Sequence, residues 1–267
     1  MVNTVQTKPR TGIIFSCGHV RPEISNERFL WLGNLIYDVR PDYVIDLGDF
    51  DDLQSLCSYD DRKPSVLVSQ NYEADINHGQ EARDMIRHKI RKMKVKRPYF
   101  VGLEGNHEHR IKKALEYDPR ISGTKYGISF ANLQTNYWYD EYHEYTNSAP
   151  SVFDLDGISY AHFIASGNSG SAMYGEHHAS GLLKKRFRST TVGHSHKRDI
   201  CFRDDAHPYP AIGLVAGCFK GEDEHWAGQA NKEWWKGVVI KRDIRHGHYD
   251  PEFVSMKRLE EAYAGKD

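Results

Sequence analysis

The chain has 267 residues, with 36 Lys plus Arg against 37 Asp plus Glu and a formal net charge of −1, a balance that gives no global drive toward nucleic acid or anionic membranes, so a basic surface has to be local. The length fits one large domain or two small ones, and with no internal repeat or Pro/Ser-rich linker the reading is one domain over 11–267 behind a disordered leader over 1–10. No apolar run of about 18 residues offers a membrane span, Met1 to Arg10 lacks the apolar core of a secretion signal, and Cys17, Cys57, Cys201 and Cys218 show no Cys-x-x-Cys spacing, which together suggest a reducing cytoplasm.

Gly12 to Phe15 is a compact apolar strand running into Ser16-Cys17-Gly18-His19. If the strand's alternation continued, Cys17 and His19 would point the same way. From Glu27 to Val39, Phe29, Leu30, Leu32, Leu35, Ile36 and Val39 recur at helical spacing, and Pro41 supplies the stop. Tyr43 to Leu47 is the next strand and spills into Gly48-Asp49-Phe50-Asp51-Asp52. Strand, helix, strand spells an α/β unit with a parallel pair. Ser55 to Asn77 reads as a surface insertion. Helical period returns over Gln80 to Arg97, where Ile86, Ile90 and Met93 share a face and eight Lys or Arg from Arg83 to Arg97 stand against one acid, Asp84. That stripe at 83–97 reads first as a solvated face and second as a nucleic-acid contact.

Tyr99 to Leu103 is a short buried strand that opens at Gly105-Asn106-His107-Glu108. A helix over Ile111 to Glu116, ended by Pro119, follows, and 121–151 resists assignment. A β-rich half begins with two strands flanking Asp156-Gly157, a hairpin signal, and His162 closes the second of them. Ser166 to Gly181 is a Gly- and Ser-rich loop whose His177 and His178 read as surface residues. A short basic helix covers Leu182 to Arg188. Ser189 to Val192 feeds Gly193-His194-Ser195-His196, Ala211 to Phe219 is another strand, and Trp235 to Arg245 pairs with His248 to Met256 ahead of a last helix to Ala264. Trp226, Trp234 and Trp235 suit either core packing or stacking on a base.

Strand ends therefore deliver, in order, Cys17-x-His19, Gly48-Asp49, Gly105-Asn106-His107-Glu108, His162 and Gly193-His194-x-His196. The set resembles the calcineurin-like metallophosphoesterases, with Cys17 standing where their first motif has Asp. The resemblance spans residues 13 to about 219. It implies a four-layer α/β/β/α sandwich of two mixed sheets, where the residues alone reach only α/β with a β-rich second half. It also implies two transition-metal ions, manganese or zinc ahead of iron or cobalt. Cys17, His19, Asp49 and His196 would hold one, and Asp49, Asn106, His162 and His194 the other, with Asp49 bridging.

The activity implied is hydrolysis of phosphate mono- or diesters by a hydroxide shared between the metals, with His107 as proton donor to the leaving oxygen. Glu108 or Asp52 would orient imidazoles or cap a helix. Glu104 stands where the protein phosphatases carry Arg, which argues against that branch, and the basic stripe and aromatic segments lean toward nucleotides or nucleic acid. A thiolate at 17 favours softer ions. The competing reading is a binding scaffold that lost efficient catalysis through that change.

Overall fold

Two mixed sheets pack face to face with helices on their outer sides, in a computed structural model whose described residues are 8–57, 71–147, 149–167, 170–204 and 208–266. Strands β1 (Arg10–Phe15), β2 (Tyr43–Asp46), β3 (Tyr99–Leu103) and β4 (Glu141–His143) run parallel, and the hairpin β10 (Gly237–Arg245) and β11 (His248–Ser255) completes the first sheet in the order β11-β10-β1-β2-β3-β4. The second sheet comprises β5 (Phe153–Leu155), β6 (Ile158–Ala161), β7 (Thr190–Val192), β8 (Arg198–Arg203) and β9 (Ala211–Ala216), ordered β5-β6-β7-β9-β8. Ile14, Tyr43, Ile45 and Val101 of the first sheet meet Ile158, Tyr160, Ile212 and Leu214 of the second in a fully buried core. The expected α/β/β/α layering is the observed one.

Helix α1 (Glu27–Val39) keeps the bounds its apolar period gives, and Arg40 closes it in the left-handed conformation. It packs beside α2 (Tyr72–Ile90) so closely that a side chain at Gly33 would strike the Ile86 carbonyl. The polar α3 (His109–Tyr117) carries the segment after β3, α4 (His178–Arg186) covers the second sheet, and α5 (Met256–Tyr263) buries Leu259 against the first. Among the described residues no helix is long and apolar enough to cross a membrane.

Four expectations change. Helix α2 begins at Tyr72 and stops at Ile90, where Gln80 to Arg97 is the span its period suggests. Its inward face begins with Asp75, Gly79, Ala82 and Arg83, which are polar or small, so hydrophobic period is blind to the first half. The surface insertion read over Ser55 to Asn77 lies outside the described residues at 58–70, and from Tyr72 it is helix. The basic stripe divides: Arg83 is buried on Asp51 and Arg87 lies over the Phe100 ring, while Arg91, Lys92, Lys94, Lys96 and Arg97 are exposed beyond the helix. The leader at 1–10 falls outside the described residues up to position 7, and Arg10 already opens β1.

Candidate metal centre

The parallel ladder of β1 and β2 continues past the strands, and that continuation builds the site. Cys17 N donates to Gly48 O at 2.9 Å, His19 N to Asp49 O at 3.0 Å and Val20 N to Phe50 O at 2.8 Å. Cys17 (φ 53°), His19 (44°), Asp49 (57°), His194 (64°) and His196 (59°) all occupy the left-handed region. For residues with a Cβ that costs about 1 kcal/mol or more each, and it persists only where surrounding bonds dictate it. Strand alternation is therefore not what aims Cys17 and His19, since β1 ends at Phe15 and the turned backbone brings them together.

Close approach explains two glycines. A Cβ at Gly105 would overlap Asp49 Oδ1, and one at Gly193 would overlap Ser16 Oγ. Glu108 fixes the loops from below: its carboxylate accepts from the backbone amides of Asp49 (3.0 Å), Gly105 (2.9 Å) and Asp51 (2.9 Å). Of its two expected roles it takes neither, since it orients no imidazole and makes no side-chain cap on α3.

The seven residues expected to hold metal lie together at the strand C-terminal ends. His162, fully buried after β6, gives Nδ1 to Leu47 O at 2.8 Å, which turns Nε2 toward the cluster. That Nε2 lies 3.0 Å from Asn106 Oδ1, 3.1 Å from His194 Nδ1 and 3.2 Å from Asp49 Oδ2. On the other side of Asp49, His19 Nε2 lies 3.2 Å from His196 Nε2 and 3.8 Å from Asp49 Oδ2. Cys17 Sγ, fully buried, receives His194 N at 3.3 Å and lies within 4.8 Å of ligand atoms of His19 and His196, and equally of Asp49 and His162.

Such an arrangement suits cations better than protons. One proton serves one pair of acceptors, whereas around His162 Nε2 three further acceptors converge. Burial, helped by Lys220 and His107, pushes His19 down to about 3, and burial with His162 pushes His194 down to about 4. His196 is likewise held well below the ordinary range, so these imidazoles are neutral at pH 7, the form that ligates. Burial would raise Asp49, but His162 and His107 outweigh it and keep the carboxylate charged. Burial and Asp49 push the Cys17 thiol up, an effect that an adjacent dication reverses.

His107 stands at the edge of this cluster. Its Nδ1 lies 2.8 Å from Asp52 Oδ1, and its Nε2 faces Asp49 Oδ2 at 4.0 Å. Asp52 thus takes the orienting role expected of either carboxylate and reaches His19 Nδ1 at 3.5 Å. Arg110 brackets the same loop through Asp52 O at 2.8 Å. Behind them Arg21 joins Asp52 to the buried Glu224, which also pairs with the buried Lys220 at 2.5 Å. Glu104, buried, is spent on His109, Lys112 and the Tyr145 amide.

Of two further contacts, only that of Tyr174 carried no sequence signal, since Trp234 is among the indoles read as core or stacking residues. Tyr174, from the Gly-rich loop, sets its hydroxyl 2.9 Å from His194 Nε2, and Trp234 stands edge-on to the His196 ring. His178, read as a surface residue, is buried at the start of α4, because that helix begins four residues before its apolar Leu182.

No protein-family model and no curated protein matches the chain. Among solved structures, a conserved uncharacterized protein from Streptococcus pneumoniae TIGR4, titled a predicted phosphoesterase, is similar over 94% of this chain and 92% of its own, at 11% identity and a TM-score of 0.37. A likeness that loose bears no weight, and the site stands on its own geometry.

Proposed function

We propose that the chain is a metal-dependent phosphoric ester hydrolase. The observation that carries the reading is the double convergence on Asp49, with His162, Asn106 and His194 on one side and His19, His196 and Cys17 on the other. Two cations would be held there by the sets Cys17, His19, Asp49, His196 and Asp49, Asn106, His162, His194. Bound divalent ions supply charge neutralisation for a phosphoryl group and lower the pKa of water.

The chain's own residues do the rest. A water that has released one proton to solvent forms the new bond from its oxygen to phosphorus as the ester P–O bond breaks. The departing oxygen takes a proton from His107 Nε2, which solvent then restores, while Asp52 holds Nδ1 and with it the ring's orientation. Burial keeps His19, His194 and His196 neutral. His107 lies close enough to His19 and Asp49 to share an ion with them, and the proton-donor role takes it as unligated, with Nδ1 held by Asp52.

The test combines elemental analysis with a panel of model phosphate mono- and diesters. Two equivalents of manganese or zinc per chain, with turnover that Asp49→Ala abolishes, support the hydrolase. One equivalent or none, with no turnover of any ester, supports the scaffold reading.

A further inference from the structure

The loop from Glu224 to Trp234 sets an exposed indole beside the donor cluster. Trp234 meets the His196 ring at 90°, centroids 4.5 Å apart, and Trp226 lies 5.9 Å from Trp234 at 59°. Trp226 is 75% exposed. The loop that presents it is braced. Asn231 accepts from Glu224 N at 2.9 Å and donates to Glu224 O at 2.7 Å and Gly228 O at 3.1 Å, Trp235 N donates to His196 O at 2.9 Å, and Lys197 pairs with Glu233. Beside the other candidate cation position, Tyr174 is 66% exposed with its ring 5.7 Å from His194, and the Phe163 ring lies 5.0 Å from the same imidazole.

An indole left in water on a held segment forgoes the stabilisation its burial would give. It becomes useful when a flat ring covers it. We infer that Trp226, backed by Trp234, is a nucleobase-stacking subsite, so that the ester handled at the donor cluster belongs to a nucleotide. The inference rests on the phosphoesterase reading, because that reading requires the planar group to be attached to a phosphate. A phosphopeptide would ask for unengaged cations at the rim, whereas Arg21 and Lys220 are both committed to Glu224. Stacking uses the π-face that every base has, so little discrimination among bases is expected.

The test compares thymidine 5′-(p-nitrophenyl phosphate) with methyl p-nitrophenyl phosphate, which share a leaving group and differ in the nucleoside, and measures calorimetric binding of 5′-AMP by the metal-loaded protein. Wild type should prefer the nucleoside ester, and Trp226→Ala should cut that preference by about 5- to 100-fold, mainly through KM, with AMP binding weakened in parallel. Trp226→Phe should restore most of both. If wild type turns over neither ester, the hydrolase reading fails, and AMP binding that differs between wild type and Trp226→Ala still upholds the subsite. Equal preference and equal AMP affinity in wild type and Trp226→Ala overturn it, as does a change confined to oligomeric state, which would make the indole a contact between copies of the chain.

Discussion

Asp49 Oδ2 lies 3.2 Å from His162 Nε2, a carboxylate carried by one sheet meeting an imidazole carried by the other. Because the same oxygen faces His19 Nε2 at 3.8 Å, Asp49 is a carboxylate shared by both halves of the cluster. Asp49→Ala should therefore lower bound metal and reduce ester turnover by about a thousandfold or more, the scale on which removal of an electrostatic stabiliser acts. Bound ions stabilise the fold by mass action, so manganese should raise the wild-type Tm and leave that of the variant nearly unmoved. An equal Tm rise in both proteins would remove Asp49 from the centre.

Unlike the buried His19, His162 and His196, His107 is partly exposed, and its Nδ1 is held by Asp52. His107→Ala should keep the metal stoichiometry and slow alkyl phosphate esters by about 100-fold or more, while p-nitrophenyl esters, whose leaving group hardly needs a proton, lose much less. Asp52→Asn should show a weaker form of the same split. Identical losses on both ester types would end the proton-donor assignment.

The buried pair of Arg83 and Asp51 ties α2 to the loop after β2, with Nη1 on Oδ1 at 3.1 Å and Nη2 on Oδ2. Arg83→Met leaves the Asp51 carboxylate buried without its partner and should cost about 3–5 kcal/mol in urea unfolding. Adding Asp51→Asn should recover part of that loss. A cost below about 1 kcal/mol would mean the pair is solvated.

That pair also shows where the sequence was legible and where it was not. Helix α1 could be read to the residue because its inward face is apolar and Pro41 follows, and strand-end motifs could be placed because short apolar runs precede them. The first half of α2 could not, because it packs through Asp75, Gly79 and Arg83 in place of an apolar stripe. Strand β8 escaped for a related reason, since its charged ends, Arg198 and Arg203, mask an edge strand. Within the site, residue types and order were visible. The left-handed backbone at Cys17, His19, Asp49, His194 and His196 was not, because hydrogen bonds between loops distant in sequence impose it.

Acid should unfold the metal-free protein through its neutral histidines. His19 at about 3 and His194 at about 4, both lowered chiefly by burial, stay neutral in the fold, while the unfolded chain protonates them near 6.5. Their contribution is thus fully present above about pH 6.5 and is lost as pH falls toward 4 and then 3. Asp46, raised to about 6 by burial, works the other way between about 6 and 4, and so do Glu108 and His162, both held above their ordinary values. Against them, His196, Asp49 and Asp52, all held well below their ordinary values, act in the same direction as His19 and His194. The Tm of chelator-treated protein should fall between pH 7 and pH 4.5, and His194→Asn should flatten the fall. A Tm that holds or rises on acidification would contradict the neutral state of these rings.

Cys17 tests whether the softest donor in the cluster works as a ligand. Its sulfur is fully buried, 3.0 Å from Ser16 Oγ and within 4.8 Å of ligand atoms of His19 and His196, so geometry admits it to a coordination shell. Without a cation, burial and Asp49 push the thiol up and keep it protonated. Beside a dication the thiolate is the stable form. Metal-loaded protein should therefore resist iodoacetamide at Cys17, and after chelation and partial unfolding in mild urea the same cysteine should label readily, with metal added back under those conditions restoring protection. Cys17→Ser should lose affinity for one of two bound ions while the other stays. Cys17→Asp should hold both and shift preference from zinc toward manganese, because a carboxylate is the harder donor. If Cys17→Ser leaves stoichiometry, metal preference and turnover as in wild type, the thiol is a packing residue and the ion beside His19 and His196 is held without it.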